Sequence, residues 1–167
     1  MTADELRALQ APVKTRYKED PASAQATLRA EGTLQADDVL CMVPTFAGTA
    51  PAGLHAMTGG DGSDACAADM LLQGLVACAG VTLRAVATSL HLDVAGTVHA
   101  EGDLDFRGTL GVDKQAPVGI RDIRLTFDLA TDADAEQLAS LIKLTERYCV
   151  VLQTIRQSPA TSVHVTR

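Results

Sequence analysis

Two cysteines are the residues of this chain best able to do chemistry. Cys78 lies in an uncharged stretch over 70–83, and Cys149 lies far downstream in a second apolar segment. A thiol attacks an electrophile only as the thiolate, which requires a lowered pKa or a nearby base. Cysteine is also a common small residue of protein cores. The residues alone therefore leave two interpretations open, inert packing or a redox pair.

The helix predicted around Cys78 does not activate the thiol by itself. Cys78 lies well beyond the first helical turn, so the helix dipole gives little help, and burial raises the pKa of a thiol. Arg84 is a poor donor of charge because it lies about 240° further around the helix. A reactive Cys78 therefore needs a cation from elsewhere in the chain or from another subunit. The candidates, among which spacing does not choose, are Lys14, Arg16, Arg29 and Arg147.

The composition predicts one folded domain over 1–167. The chain is 47% hydrophobic with a mean hydropathy of +0.11, which is not typical of a disordered chain. Its net charge of −7 argues against nucleic acid or an anionic membrane as a partner. The uncharged run over 70–83 is too short to span a bilayer and predicts a buried helix. Four cysteines and no recognisable signal peptide predict a cytoplasmic location.

The N-terminal half is expected to hold a helix, a connector, two strands and a loop. Thr2 and Glu5 have the spacing of a capping box, and Pro12 is expected to end the first helix. Residues 1–22 are accordingly interpreted as a short helix with a polar connector. The remaining segments are strands over 23–32 and 33–45 and a glycine-rich loop over 47–63.

The C-terminal half is expected to contain clustered rather than alternating helices and strands. A long helix capped by Ser63 or Asp64 runs to about Ser89, and a later helix begins at Asp132 or Asp134. The other predicted elements are strands over 91–106 and 120–129, a helix that includes Tyr148 and Cys149, and a final strand over 162–166. Clustering of this kind indicates an α+β protein.

Three segments form a recognisable pattern: CAADMLLQGLVACAGVTL over 66–83, EGDLDFRGTLG over 101–111 and ERYC over 146–149. Together they resemble the OsmC/Ohr family of osmotically inducible and organic-hydroperoxide-resistance proteins. The resemblance covers roughly 24–166. Its most specific element is an Ala-Cys pair on a long central helix, with a second cysteine at the start of a late helix. The resemblance implies an antiparallel sheet, a long buried central helix and an intertwined homodimer.

The resemblance also implies an activity, the thiol-dependent reduction of organic hydroperoxides. By this resemblance Cys78 is the peroxidatic cysteine, which is oxidised to a sulfenic acid, and Cys149 is the resolving cysteine, which closes a disulfide with it. An external dithiol then reduces the disulfide, and in well-studied relatives a lipoyl-bearing protein supplies it. We expect no cofactor and no metal, because the histidines lack metal-ligand spacing.

Two departures from the family pattern concern the activation of Cys78. Family hydroperoxidases have a glutamate ten residues before the peroxidatic cysteine, where it holds an activating arginine, and this position is Ala68 here. Glu146 is the alternative carboxylate, and Arg16 is the candidate arginine. The second departure is Val150, which stands where the family often has a proline after the resolving cysteine.

Three functions therefore stand as hypotheses. The first is the thiol peroxidase that the resemblance implies. The second is a slow general thiol reductase that acts on disulfides or other electrophiles. The third is a non-catalytic dimer whose thiols sense oxidation or which binds an apolar ligand. A depressed pKa at Cys78 and a peroxide-induced disulfide distinguish the peroxidase from the non-catalytic dimer.

Overall fold

The computed structural model describes residues 1–166 and confirms an α+β protein. Its helices are α1 (Ala3–Glu19), α2 (Ala67–Ser89), α3 (Phe106–Thr109), α4 (Ala135–Tyr148) and α5 (Val150–Arg156). Its strands are β1 (Thr33–Leu34), β2 (Cys41–Thr45), β3 (Gly48–Gly53), β4 (Ala65–Cys66), β5 (Ala95–Asp103) and β6 (Arg121–Ala130). Short 3-10 helices occupy Pro21–Ala24 and Ala56–Thr58.

The chain divides into two compact units. Unit one contains Met1–Gln10, Gly74–His99 and the chain from Thr126 onward. Unit two contains Ala11–Gln73 and Ala100–Leu125. Both Cys78 and Cys149 therefore belong to unit one. The prediction of a single domain over 1–167 stays a prediction.

Unit two carries a four-stranded sheet in the order β1-β2-β3-β4. The first two pairs are antiparallel, and β3 pairs with β4 in parallel. The predicted single strand over 33–45 is divided into β1 and β2. The prediction of a loop over 47–63 is wrong for its first residues, because β3 (Gly48–Gly53) lies within this range. The tight turn from Thr45 to Gly48 returns the chain directly into β3. Gly48 has a φ of +128°, a conformation that glycine adopts without strain.

Two of the predicted strands are wrong. Segment 23–32 begins inside the 3-10 helix Pro21–Ala24 and continues without ladder pairing as far as β1. Segment 162–166 forms no strand either, and its Val163 is 91% exposed. A strand requires a hydrogen-bonding neighbour, and neither segment has one within the described chain. An alternating hydrophobic pattern was therefore insufficient to predict a strand where no neighbouring strand is present to pair with it.

The first helix confirms its predicted start and corrects its predicted end. The Thr2 N–H donates to the Glu5 carboxylate at 2.8 Å, and the Glu5 N–H donates to the Thr2 hydroxyl at 3.2 Å, which is the expected capping box. Pro12 does not end α1, which continues to Glu19. Proline removes one N–H donor from a helix. Because α1 has no buried residue, water can bond to the carbonyl that loses its partner.

Unit one contains α4, most of α2, the first half of β5 and the second half of β6. The predicted pairing of these two strands is confirmed, since they form a separate two-stranded sheet. Asp134, one of the two predicted starts, caps α4 and forms a reciprocal capping box with Gln137. The core cluster of unit one consists of Leu83, Ala87, Val94 and Leu141, packed against Val86, Leu92, Phe127, Leu129, Leu138 and Ile142.

The long central helix is confirmed, and its burial follows one stripe. It ends at Ser89 as predicted, but it begins at Ala67 and not behind a cap at Ser63 or Asp64, because β4 lies between those residues and the helix. The buried residues recur every fourth position and are Leu75, Ala79, Leu83 and Ala87. On the opposite face Val81 is 72% exposed. In the single chain, α2 therefore presents one apolar face without a cover.

Candidate active site

Cys78 lies on α2 at the border of its buried stripe. It directly precedes the fully buried Ala79, and its own side chain is half-buried. Its thiol is free, like the other three in the chain. The residue is therefore neither fully buried nor fully exposed. Such partial exposure is what a reactive thiol requires and a purely structural one does not.

Cys149 lies at a break between two helices. It ends α4 and begins α5, with φ of −73° and an extended ψ of 102°. Its N–H donates to the Thr145 carbonyl at 3.0 Å, and its own carbonyl accepts from the Gln153 N–H at 2.9 Å. The side chain is 0% exposed. The sequence placed Cys149 inside a helix, and the structure instead places it at the joint, which we call the elbow and which comprises residues 146–153.

The elbow supplies backbone donors to the sulfur of Cys78. The first N–H groups of a helix have no acceptor within it, so those of α5 are free to bond elsewhere. The N–H groups of Val151 and Val150, the Cys149 thiol and the Thr82 hydroxyl lie near enough to the Cys78 sulfur to lower the pKa of its thiol by hydrogen bonding. The structure therefore brings the two predicted cysteines close enough for each thiol to shift the pKa of the other.

These surroundings shift the pKa values of the two thiols in opposite directions. Burial acts to raise the pKa of Cys78, but the hydrogen bonds from Val151, Cys149, Val150 and Thr82 outweigh it, so the pKa lies below its ordinary value. Burial raises the pKa of Cys149, the amide of Leu152 opposes this, and the adjacent Cys78 thiolate raises it further. Cys78 is thus the member that ionises first, with Cys149 as its protonated neighbour.

Replacement of Val150 by proline tests the contribution of one backbone donor. Val150 is 68% exposed and occupies the first position of α5, where proline is tolerated, and the extended Cys149 suits a residue before proline. The lost N–H is expected to raise the pKa of Cys78. Alkylation of Cys78 by iodoacetamide at neutral pH should slow on the order of tenfold, the effect of one hydrogen bond to a charged group.

The control for this variant is Val150→Ala, which keeps the N–H and should alkylate like the wild type. Rates would be measured between pH 5 and 10 with peptide mapping of the alkylated cysteine. Because the thiolate is the reacting species, the rate rises with pH through the pKa of Cys78, and the proline variant should need a higher pH to reach the same rate. Superimposed profiles would contradict a role for this amide.

The other two predicted site residues are placed as follows. Glu146 lies at the elbow, where its carboxylate pairs with Arg156 at 3.1 Å. Arg16 lies on α1 with its guanidinium 5.2 Å from the Tyr17 ring centroid, and it belongs to unit two. The roles assigned to Arg16 and Glu146 in activating Cys78 stay predictions. The groups that lower the pKa of Cys78 are neutral.

Sequence reasoning missed the neutral donors. Thr82 was detectable in principle, because it lies four residues after Cys78 and so on the same face of α2. The amides of Val150 and Val151 carry no side-chain signal. They become available only because the helix breaks at Cys149, and no glycine or proline marks that break.

Two polar side chains of unit two have structural partners. Arg124 bonds to Asp103 at 2.8 Å, and the His55 ring stacks on Phe106 with centroids 4.8 Å apart. Within residues 1–166, no three His, Cys, Asp or Glu side chains are grouped to hold a metal ion.

Comparison with known proteins decides the family. The family model described as OsmC-like protein matches residues 60–164. The chain belongs to the OsmC-like family. The match covers α2, both cysteines and all elements between them, so the resemblance seen in the sequence is confirmed. No curated protein sequence shows a significant match to the chain.

Solved structures share the OsmC-like fold at low sequence identity. The OsmC-like protein from Mycoplasma pneumoniae has a TM-score of 0.64 and 15% identity, over 80% of this chain and 90% of that one. The organic hydroperoxide resistance protein OsmC from Legionella pneumophila has a TM-score of 0.56 and 16% identity, over 80% and 93%. OhrB of Bacillus subtilis, titled an organic hydroperoxide resistance protein, has a TM-score of 0.52 and 17% identity, over 80% and 94%.

Helix α2 is long and apolar enough to cross a membrane by length and composition. One such helix is weak evidence, because the core helix of a soluble protein has the same properties. Proteins of the OsmC-like family are soluble, and α2 contains the cysteine that contacts the elbow. Its apolar character is therefore explained by packing in this fold.

Proposed function

We propose that this chain is a thiol peroxidase that reduces organic hydroperoxides to alcohols. The observation that carries the proposal is the pairing of Cys78, whose pKa is lowered, with the neighbouring Cys149, whose pKa is raised. Family membership supports a role in redox or peroxide stress, and two structural relatives are titled organic hydroperoxide resistance proteins. We propose the reducing cytoplasm as its location, supported by four free thiols.

The proposed reaction begins with the Cys78 thiolate. Its sulfur attacks the distal oxygen of the hydroperoxide, the O–O bond breaks, and the alkoxide leaves and takes a proton to become the alcohol. Cys78 is oxidised to a sulfenic acid. The Cys149 sulfur then attacks the Cys78 sulfur and releases water, which leaves a disulfide. An external dithiol, for which a lipoyl-bearing protein is the proposed source, returns both thiols to the reduced state and is itself oxidised.

The proposed roles follow from the environment of each sulfur. Cys78 is half-buried and accepts hydrogen bonds that favour the thiolate, so it is the nucleophile. Cys149 is fully buried and protonated, so it waits beside the reacting sulfur without competing for peroxide. The two side chains are already in contact, so the sulfenic acid would form next to the thiol that resolves it. This arrangement limits further oxidation of Cys78.

Consumption of cumene hydroperoxide tests this proposal. With dihydrolipoamide as the reductant, wild-type protein should consume peroxide over many turnovers, and the variant Cys66→Ser should match it because Cys66 lies outside the proposed cycle. Hydrogen peroxide would serve as the comparison oxidant. A protein that consumes no organic hydroperoxide with any dithiol would contradict the proposed function.

A slow general thiol reductase is the second candidate. The observation that favours it is the neutrality of the donors around Cys78, together with Ala68 at the family's glutamate position. An aromatic disulfide such as 5,5′-dithiobis(2-nitrobenzoate) discriminates the two candidates. A peroxidase should react with cumene hydroperoxide at a rate far above that of a free thiol at equal thiolate fraction. A general reductase should show no such preference.

We also propose that the chain acts as a homodimer. The uncovered apolar face of α2, with Val81 at 72% exposure, supports this, as do Val163 and Val165 in the unpaired C-terminal segment at 91% and 83%. The intertwined dimer expected from the family resemblance would cover these exposed apolar residues with a second copy of the chain. Light scattering should give about twice the 17.5 kDa mass of the chain.

A charge on α2 provides the mutational test of this dimer. Val81→Asp should shift the mass toward that of a single chain, because burying an unpaired carboxylate costs several kcal/mol. Ser140→Asp adds the same charge at an exposed position of α4 and should leave the mass unchanged. A wild-type protein that remains a single chain at high concentration would contradict the proposed assembly.

A further inference from the structure

The elbow contains side-chain contacts that the proposed reaction does not use. The Gln153 amide nitrogen donates to the Glu146 carbonyl at 2.7 Å in a half-buried position. The Arg156 guanidinium donates to both Glu146 carboxylate oxygens, at 3.1 and 3.4 Å. Two side chains of α5 thus hold the backbone and the side chain of a single residue near the end of α4.

The Glu146 carbonyl would have another partner if the helix did not break. In an unbroken helix it would accept from the N–H of Val150, four residues on. The Gln153 side chain takes that place, so the carbonyl is satisfied while the Val150 N–H is free to donate to the Cys78 sulfur. An unsatisfied carbonyl at this point would favour closing the break and recovering the helical bond.

We propose that Gln153 is a positioning residue for the Cys78 thiol, because its bond to the Glu146 carbonyl holds the elbow open, and that Arg156 assists it by pairing with Glu146. This inference rests on the proposed function of the site but concerns how its nucleophile is held. It assigns Glu146 a role through its backbone carbonyl and its pairing with Arg156. Neither Gln153 nor Arg156 contacts the reacting sulfur in this assignment.

The test uses variants of Gln153 in the full chain and measures the pH profile of Cys78 alkylation by iodoacetamide. Gln153→Met keeps the length of the side chain and removes the donor, and it should slow alkylation at neutral pH about threefold to tenfold. Gln153→Lys retains a donor that can reach the carbonyl and should restore most of the rate. Arg156→Gln should give a smaller change in the same direction, because the ion pair is partly exposed.

Gln137→Met is the matched control. Gln137 also makes a side-chain bond to the backbone of α4, accepting from the Asp134 N–H at 2.9 Å, but at the opposite end of the helix. The Gln137→Met substitution should lower the melting temperature without changing the pH profile of Cys78 alkylation. If Gln153→Met does not fold, the profile of Arg156→Gln decides the question. The proposal would be overturned if folded Gln153→Met showed the wild-type alkylation profile. If Gln153→Met does not fold, a wild-type profile in Arg156→Gln would overturn it.

The alkylation readout separates this inference from the proposed function. Iodoacetamide reacts with any accessible thiolate and does not require peroxide chemistry. A wild-type protein that alkylates rapidly at Cys78 yet reduces no hydroperoxide would contradict the peroxidase and leave the positioning role of Gln153 standing. The opposite result is a wild-type protein that reduces hydroperoxide, with Gln153 and Arg156 variants whose kinetics and Cys78 alkylation profiles match the wild type. It would support the peroxidase and contradict the positioning role of Gln153.

Discussion

Replacing Cys78 with serine is expected to abolish hydroperoxide reduction, with a loss of about 10³-fold or more in kcat/KM. A serine hydroxyl remains protonated at neutral pH and is a far weaker nucleophile than the thiolate favoured by the amides of Val150 and Val151. The initial rate of cumene hydroperoxide consumption measures the effect. The half-buried site should tolerate the substitution, so the melting temperature should change little.

The matched control for this variant is Cys66→Ser. Cys66 is likewise half-buried and lies at the end of β4, directly before α2 begins. Its replacement should leave the rate near that of the wild type. Activity that survives in Cys78→Ser and disappears in Cys66→Ser would show that Cys66 is the reactive cysteine, which would contradict this mechanism.

Replacing Cys149 with serine is expected to separate the two halves of the cycle. Serine keeps a hydroxyl that can donate to the Cys78 sulfur, so the first oxidation should proceed at close to the wild-type rate. No resolving thiol is then present, and Cys78 should accumulate as sulfenic acid and go on to sulfinic acid in excess peroxide. Turnover with dihydrolipoamide should fall at least about tenfold. Dimedone trapping and mass spectrometry would identify the oxidised species.

Cys149→Ala supplies the comparison. Alanine removes both the resolving thiol and the hydrogen bond to Cys78, so its first oxidation should be slower than that of Cys149→Ser at neutral pH. The difference between the two variants measures the activation that Cys149 gives to Cys78. Full turnover in both variants would show that the disulfide is not part of the cycle.

The sequence predicted those parts of the fold that depend on helical periodicity and capping. The long apolar stretch predicted α2 and its end near Ser89, and the pair of candidate caps Asp132 and Asp134 included the residue that begins α4. These features are local, since an N-cap and a 3.6-residue repeat act within a few turns. The pairing of β5 with β6 was also predicted, because two alternating segments follow each other in the chain with a glycine-containing connection between them.

Features that depend on distant partners were not predictable. Strand β3 was hidden by its glycines and proline, since its stability comes from the ladder with β2 rather than from its own side chains. Two successive helices were predicted here, but the position of the break at Cys149 was missed, because it is maintained by contacts such as that of Gln153 with Glu146. The two cysteines were found from their types and setting, whereas their donors include backbone groups that sequence does not reveal.

The most direct test of the proposed mechanism adds one equivalent of cumene hydroperoxide to fully reduced protein and measures the intact mass, followed by peptide mapping. The account predicts a rapid loss of about two mass units, the signature of one disulfide, mapped to Cys78 and Cys149. No oxidation, or oxidation confined to Cys41 or Cys66, would contradict the two-cysteine mechanism and leave an OsmC-like fold that serves another purpose.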